Sequence, residues 1–372
     1  MTDQRFYPKK IYVTKDSLGH SLTHRILTKL AHIPAETVSD SLSVLEELKL
    51  KKDPLGEGKK ILLITEQKGG FVKPCPCTSH YLGCNYFIVN TELNCPLDCT
   101  YCILQLYLSE SLITVHSNTE ELWDQLDHFL ETNRHRALRL GSGELGDSLA
   151  LDHITERSKD FLTYFRDRSR NHAFFELKTK TVNIDNILES PLAENVIIAW
   201  SLNSEKMARQ EEKGAPPIRE RLAAAYAVAK RGFKVAFHFD PIIRYPGWED
   251  GYAEVIDALF TKIDQDQVAW ISLGSLRYPP HLKDIIRKRF PETRITDEEL
   301  VRGRDGKLRY FKPLRLQMYR TIAGRIRHIT KDRVRLYFCM ESGEIWRKVL
   351  GKKPKGKEEI EYDLSLPFGY VR

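Results

Sequence analysis

A chain of 372 residues with 41% hydrophobic content and a net charge of +7 holds enough apolar material for a sizeable core. No apolar run approaches the ~18 residues of a membrane helix, and the opening residues lack the basic-then-apolar pattern of an export signal, so a cytoplasmic location with no membrane partner is expected. Six of the seven cysteines fall between Cys75 and Cys102, concentrated as metal ligands are rather than spread as a disulfide framework.

In chain order, residues 1–84 offer two short strands, Lys10–Val13 and Ile61–Thr65, with a helix near Leu22–Leu30, and read as an N-terminal α/β extension. From residue 85 to 275 apolar β-rich runs recur at Tyr86–Asn90, Leu138–Leu140, Ala173–Leu177, Val196–Trp200, Val235–Phe239 and Val268–Leu273. Between them, Asn118–Leu130, Ile154–Phe165, Pro217–Lys230 and Tyr252–Ile263 are amphipathic at helical period, the first opened by an Asn118/Glu121 capping box. This repetition predicts six βα units and a parallel sheet, in which function gathers at the carboxyl ends of the strands. Residues 276–372 read as a basic C-terminal region with a helix near Lys283–Phe290, a hairpin turned by Asp305-Gly306 and a mobile tail at Lys348–Lys357.

The first predicted strand leads into NCPLDCTYC at positions 94–102, where Cys95, Cys99 and Cys102 form a CxxxCxxC trio. Thiolates are soft ligands suited to iron–sulfur clusters, and three of them leave one iron of a [4Fe–4S] cluster open. Structural zinc sites instead supply all four ligands from paired knuckles. A second group, Cys75, Cys77 and Cys84, has the spacing of a weaker ligand set, with Cys339 or His80 as a fourth member; buried thiols are the plainer reading. His238 and Asp240, ending the fifth strand, are further pocket candidates. From Val301 to Arg335 twelve Lys or Arg face two Asp, interleaved with Tyr310, Phe311 and Tyr319. Basic and aromatic residues so mixed suit phosphate contacts and base stacking, and Arg302, Arg304, Lys307 and Arg309 of the hairpin are the predicted nucleic-acid contacts.

The trio and Tyr101 resemble the radical SAM superfamily, and over nearly its whole length the chain resembles the spore photoproduct lyase family. RLGSGELGD at 139–147, LDHIT at 151–155, Lys180, WSLN at 200–203 and PIIRYPGWEDGY at 241–252 follow one another as in that family. The resemblance implies a partial (β/α)6 TIM-type radical SAM barrel, a [4Fe–4S] cluster binding S-adenosylmethionine (SAM), and reductive cleavage of SAM to a 5′-deoxyadenosyl radical that takes hydrogen from a crosslinked thymine pair in DNA. It also implies reduced flavodoxin or ferredoxin as electron donor.

Placed on this sequence, Tyr101 would flank the adenine, Glu144 and Asp147 the SAM ammonium, and Lys180, Ser201 and Asn203 its carboxylate or ribose; Gly141 and Gly143 would let backbone approach the cofactor. Two positions depart from the family. Glu144 stands where the family has a hydrogen-returning cysteine, and Ile103 replaces a tyrosine after the third cluster cysteine. A carboxylate has no weak bond to give up as a hydrogen atom, so Cys77, Cys84 and Cys339 are the candidate replacement donors. A small molecule, peptide or modified RNA base as substrate, and a non-catalytic iron–sulfur nucleic-acid-binding protein, remain open alternatives.

Overall fold

The computed structural model describes residues 5–78, 80–167, 170 and 172–369. Its main sheet has eight strands in the order Leu336–Phe338, Val268–Ser275, Lys234–Ile242, Val196–Ser201, Ala173–Thr179, Leu138–Gly141, Tyr86–Val89 and Val72–Pro74. All neighbours pair in parallel except Val72–Pro74, which closes one edge antiparallel to Tyr86–Val89. The sheet curls into an open half-barrel. Every residue of Val196–Ser201 and Val268–Ser275 is buried, because helices cover the outside and side chains fill the lumen. Such strands read as continuous apolar runs rather than alternating ones.

The helices follow the hydrophobic stripes, with instructive exceptions. Ile218–Lys230 and Trp248–Lys262 lie where the periodicity places them. The stripe predicted over Ile154–Phe165 is split into Asp152–Thr155 and Arg157–Phe165 by Glu156, which is left-handed at φ 52°. Helix Thr119–Thr132 starts after Asn118, but the expected capping box does not form. The Asn118 side-chain oxygen Oδ1 instead accepts from the Gln67 backbone amide at 2.9 Å, and its Nδ2 donates to Glu121 at 2.7 Å. A long-range backbone donor has outcompeted the local one.

The N-terminal extension is a second sheet, ordered Ala35–Val38, Lys10–Thr14, Ile61–Thr65, Ile113–His116 and Glu92–Leu93. Its fourth and fifth strands come from beyond residue 84. Likewise the half-barrel takes its edge strand from the first predicted region and its seventh parallel strand, Leu336–Phe338, from the last. The expected six-strand unit is therefore extended by a three-residue strand too short for periodicity to reveal. Helices flank the stretch expected to be mobile, of which residues 351–356 lie outside any helix or strand. Gly343–Leu350 and Lys357–Ser365 are helices, and Ile360 and Leu364 join the main core. The hairpin forms as predicted, Leu300–Arg302 against Leu308–Tyr310 with Gly306 at φ 77°, and Arg277–Tyr278 adds a third strand. Among the described residues no helix is long and apolar enough to cross a membrane.

Candidate active site

The cysteine trio lies in a loop following the first barrel strand and held from several sides. Asn94 turns into it at φ 68°, its side chain accepting from the Cys95 amide at 2.9 Å and donating to the Ser111 carbonyl at 2.6 Å. The buried Lys59 ammonium donates to the carbonyls of Cys95 and Leu97 at 2.9 and 2.5 Å. Arg289 bridges Asp53 and Asp98 through four contacts of 2.9–3.1 Å. On the other side Glu212-Lys213 pairs antiparallel with Asp98-Cys99. The result is a rigid loop in which Cys95 and Cys99 are buried and pack with Tyr101, Cys102 and Ala215.

These residues fit an iron–sulfur cluster by donor chemistry. All three thiols are free, and a bare thiolate is disfavoured there, since burial pushes the Cys99 thiol up to about 12 with Lys180 opposing. Among the described residues no three His, Cys, Asp or Glu side chains close around a single ion. A cluster differs from a single ion in spacing its thiolates around an iron–sulfide cube.

Beside the loop, the Tyr101 hydroxyl donates to Glu212, which pairs with the fully buried Arg221 at 2.6 Å. The Lys180 ammonium sits 5.9 Å from the Tyr101 ring centre and makes no hydrogen bond among the described residues. Tyr101 and Lys180 thus lie beside the trio.

Other expected cofactor contacts are engaged within the fold. Asp147 accepts from the Leu149, Ala150 and Lys180 amides and the Thr179 hydroxyl at 2.6–3.1 Å, and so caps this turn. Asn203 is wholly buried, its oxygen taken by Tyr252 at 2.6 Å and the Ser204 amide at 3.0 Å. The Ser201 carbonyl accepts from Arg221 at 3.0 Å. A Cβ at Gly141 would meet the Tyr86 hydroxyl at 1.9 Å, and one at Gly143 the Lys178 backbone at 2.8 Å, so both glycines serve strand-to-strand packing. Glu144 pairs with Lys178 at the ends of the second and third barrel strands.

Beneath the barrel mouth lies a buried charged network. Arg139 donates to Glu176 at 3.0 Å and to the Tyr337 hydroxyl at 2.8 Å, while His238 Nε2 and the Trp270 indole meet the other Glu176 oxygen at 2.8 and 3.1 Å. Burial favours the neutral acid, yet Arg139 and His238 hold the Glu176 carboxyl below the usual range. His238 therefore serves this floor. Asp240 clamps Arg277 at 2.8 and 3.0 Å. Cys77, Cys84 and Cys339 do come together here, joined by Cys75 and within electrostatic reach of Glu144.

Part of the basic segment is neutralised, by its own two aspartates and by four acids from outside it. Arg309 is enclosed and paired with Asp305, and Lys307 is buried, which corrects their assignment as phosphate contacts. Lys312, Arg315, Arg325, Arg327 and Arg333 pair with Glu344, Glu341, Asp257, Asp332 and Asp266. Arg302 and Arg304 stay exposed at the hairpin. Lys59, Lys178, Arg277 and Arg289 had no motif to announce them.

A curled parallel sheet with a cysteine loop at the carboxyl end of its first strand is the radical SAM type of half-barrel. The match is borne out by solved structures: a spore photoproduct lyase double mutant with bound AdoMet and dinucleoside spore photoproduct superposes with a TM-score of 0.78 at 22% identity, covering 90% of this chain and 99% of that one. The spore photoproduct lyase family model matches residues 6–339, and the chain belongs to that family. Curated relatives include the spore photoproduct lyases of Bacillus subtilis, 28% identical over 57% of this chain and 63% of that protein, and of Geobacillus, 26% identical over 58% and 64%. The chain thus spans a little under two thirds of these two relatives. The Clostridium acetobutylicum lyase is 20% identical over 69% of this chain and 74% of its own length.

Proposed function

We propose that this chain is a radical SAM enzyme acting on a nucleic-acid base or DNA lesion. The observation that carries the reading is the loop of Cys95, Cys99 and Cys102, locked at the mouth of the half-barrel with Tyr101 and an unbonded Lys180 ammonium beside it. When bound, a [4Fe–4S] cluster with SAM and a reductant such as flavodoxin or ferredoxin supplies a 5′-deoxyadenosyl radical. The chain's own residues do the rest. Tyr101 offers a ring face for a purine, kept in place by its bond to Glu212. Lys180 offers a cation for a carboxylate, and the Asp147 cap fixes the backbone from which it projects. Arg302 and Arg304 stand free for phosphates.

The substrate assignment draws on the dinucleoside photoproduct bound by the structural relative. Glu144 limits it. Locked to Lys178 where the family's hydrogen-returning cysteine is expected, it cannot return a hydrogen atom. The pairing of half of the basic residues between Val301 and Arg335 with acids favours, as second reading, a small molecule, peptide or modified RNA base. Supplying dinucleotide spore photoproduct with SAM and dithionite, then measuring thymidylyl-thymidine per 5′-deoxyadenosine, tests this. SAM cleavage with little repair is expected; clean multiple turnover would overturn the role given to Glu144.

A further inference from the structure

Cys75 and Cys77 take no part in the loop described above. They flank Pro76 in the run KPCPCT at positions 73–78, directly after the edge strand Val72–Pro74. The Cys75 amide donates to the Tyr86 carbonyl at 2.8 Å, which anchors the start of the run. The Cys77 amide donates to the Cys75 carbonyl at 2.7 Å, two residues back, and so closes a γ-turn centred on Pro76. Proline suits that centre, because its ring holds φ near the value an inverse turn needs.

The turn brings two sulfurs together. Fully extended, the two Cα atoms would stand about 7 Å apart, whereas the turn draws them into the roughly 4.4–6.8 Å that a disulfide spans. The Cys75 thiol hydrogen-bonds directly to the Cys77 sulfur. Gly83 leaves room for that sulfur, since a Cβ there would stand 2.7 Å from it. Both thiols are free and partly exposed, and Pro74 and Pro76 beside them are open to solvent; Cys84, Cys95 and Cys99 are buried.

We propose that Cys75 and Cys77 are a redox-active dithiol that closes reversibly to a disulfide, with a small disulfide of the glutathione class as its oxidant. The two thiols have different parts. The bond from Cys75, the Cys84 amide and Lys307 favour thiolate at Cys77 against burial and Glu144, whereas that same bond and burial keep the proton on Cys75. Thiolate is the attacking form. Cys77 attacks one sulfur of the oxidant, whose S–S bond breaks, and one thiolate leaves with the electron pair. A mixed disulfide remains on Cys77. Cys75 gives its proton to the departed thiolate and attacks the Cys77 sulfur, expelling the second thiolate, which takes up the proton that Cys77 had released to solvent. Two protein thiols are oxidised, and the external disulfide is reduced to two thiols. A bridge on an exposed turn is of the labile rather than the structural kind. Closing it removes both S–H bonds, so Cys77 can give up a hydrogen atom only in the reduced chain.

The test equilibrates the full chain in glutathione buffers of stepped thiol-to-disulfide ratio, quenches it with an alkylating reagent and digests it with pepsin at low pH. Mass spectrometry then follows fragments that carry Cys75 and Cys77 without Cys84. They should bear two alkyl groups in reducing buffers and none, with two hydrogens missing, in oxidising ones; dithiothreitol should reverse the change. Cys75→Ala should trap glutathione on Cys77, since no neighbouring thiol resolves the adduct, whereas Cys77→Ala should carry about tenfold less on Cys75. Double alkylation that persists in the most oxidising buffer would overturn the proposal. So would a lasting glutathione adduct in wild type, or a bridge from either cysteine to Cys84 or Cys339. The wild-type reading needs neither variant, and the fragments exclude Cys95, Cys99 and Cys102, so its failure leaves the SAM reading untouched.

Discussion

Lys59 shows what single residues contribute. Its buried ammonium ties the carbonyls of Cys95 and Leu97 and approaches Asp98 at 3.5 Å. Lys59→Met keeps the stem and leaves both carbonyls unsatisfied, at a cost of about 1–3 kcal/mol each. The expected outcome in denaturant unfolding and iron analysis is lower stability and poor retention of the cluster, whereas Lys60→Met, on the half-buried neighbour that pairs with Glu57 away from the cysteine loop, should change neither. Glu92 gives a pH signature. Burial, opposed by Arg157, pushes its carboxyl up to about 8 from an ordinary 4.5. The folded chain therefore holds this proton where the unfolded chain has released it. The stabilisation is complete below 4.5 and drains away as pH rises to about 8, several kcal/mol in all by linkage. Glu92→Gln should flatten the stability profile between those limits; an unchanged slope would assign it to other groups.

At the scale of elements, the βα repeat was legible because buried parallel strands and amphipathic helices carry long periodic signals. Ile113–His116 and Leu336–Phe338 were not, since three or four buried residues look alike in a strand, a helix or a loop. The capping box at Asn118 failed because the Gln67 amide, remote in sequence, took the oxygen that would have capped the helix. Gly141 is also held by packing: a Cβ there would meet Tyr86 and the Glu176 carbonyl of the adjacent strand. Gly141→Ala should destabilise the barrel by about 1–3 kcal/mol or more, as overpacked cores do. Adding Tyr86→Phe should restore part of that loss only, because the Glu176 backbone stays 2.4 Å from the new methyl. Full rescue in thermal unfolding would show that the hydroxyl was the sole obstacle.

For the whole molecule, sequence distance misled where space decides. The run from Val301 to Arg335 looked strongly basic, yet Asp257, Asp266, Glu341 and Glu344 come from other elements to meet it. Electrostatic binding of DNA should therefore concentrate at the hairpin. R302S/R304S should reduce the salt slope of binding by about 2, while R325S/R327S should leave it nearly unchanged; equal effects would point to a diffuse basic face. The cysteine trio was readable because its chemistry is written in local spacing. The Lys59, Arg289 and Glu212 supports were not, being assembled from three separate parts of the chain. We propose that this supported trio holds an open-iron cluster that cleaves SAM. Release of 5′-deoxyadenosine from SAM and dithionite by anaerobically reconstituted protein is to be set beside that of Cys99→Ala. Release by wild type and none by the variant is expected; equal release from both, or none from an iron-replete wild type, would rule the cluster out.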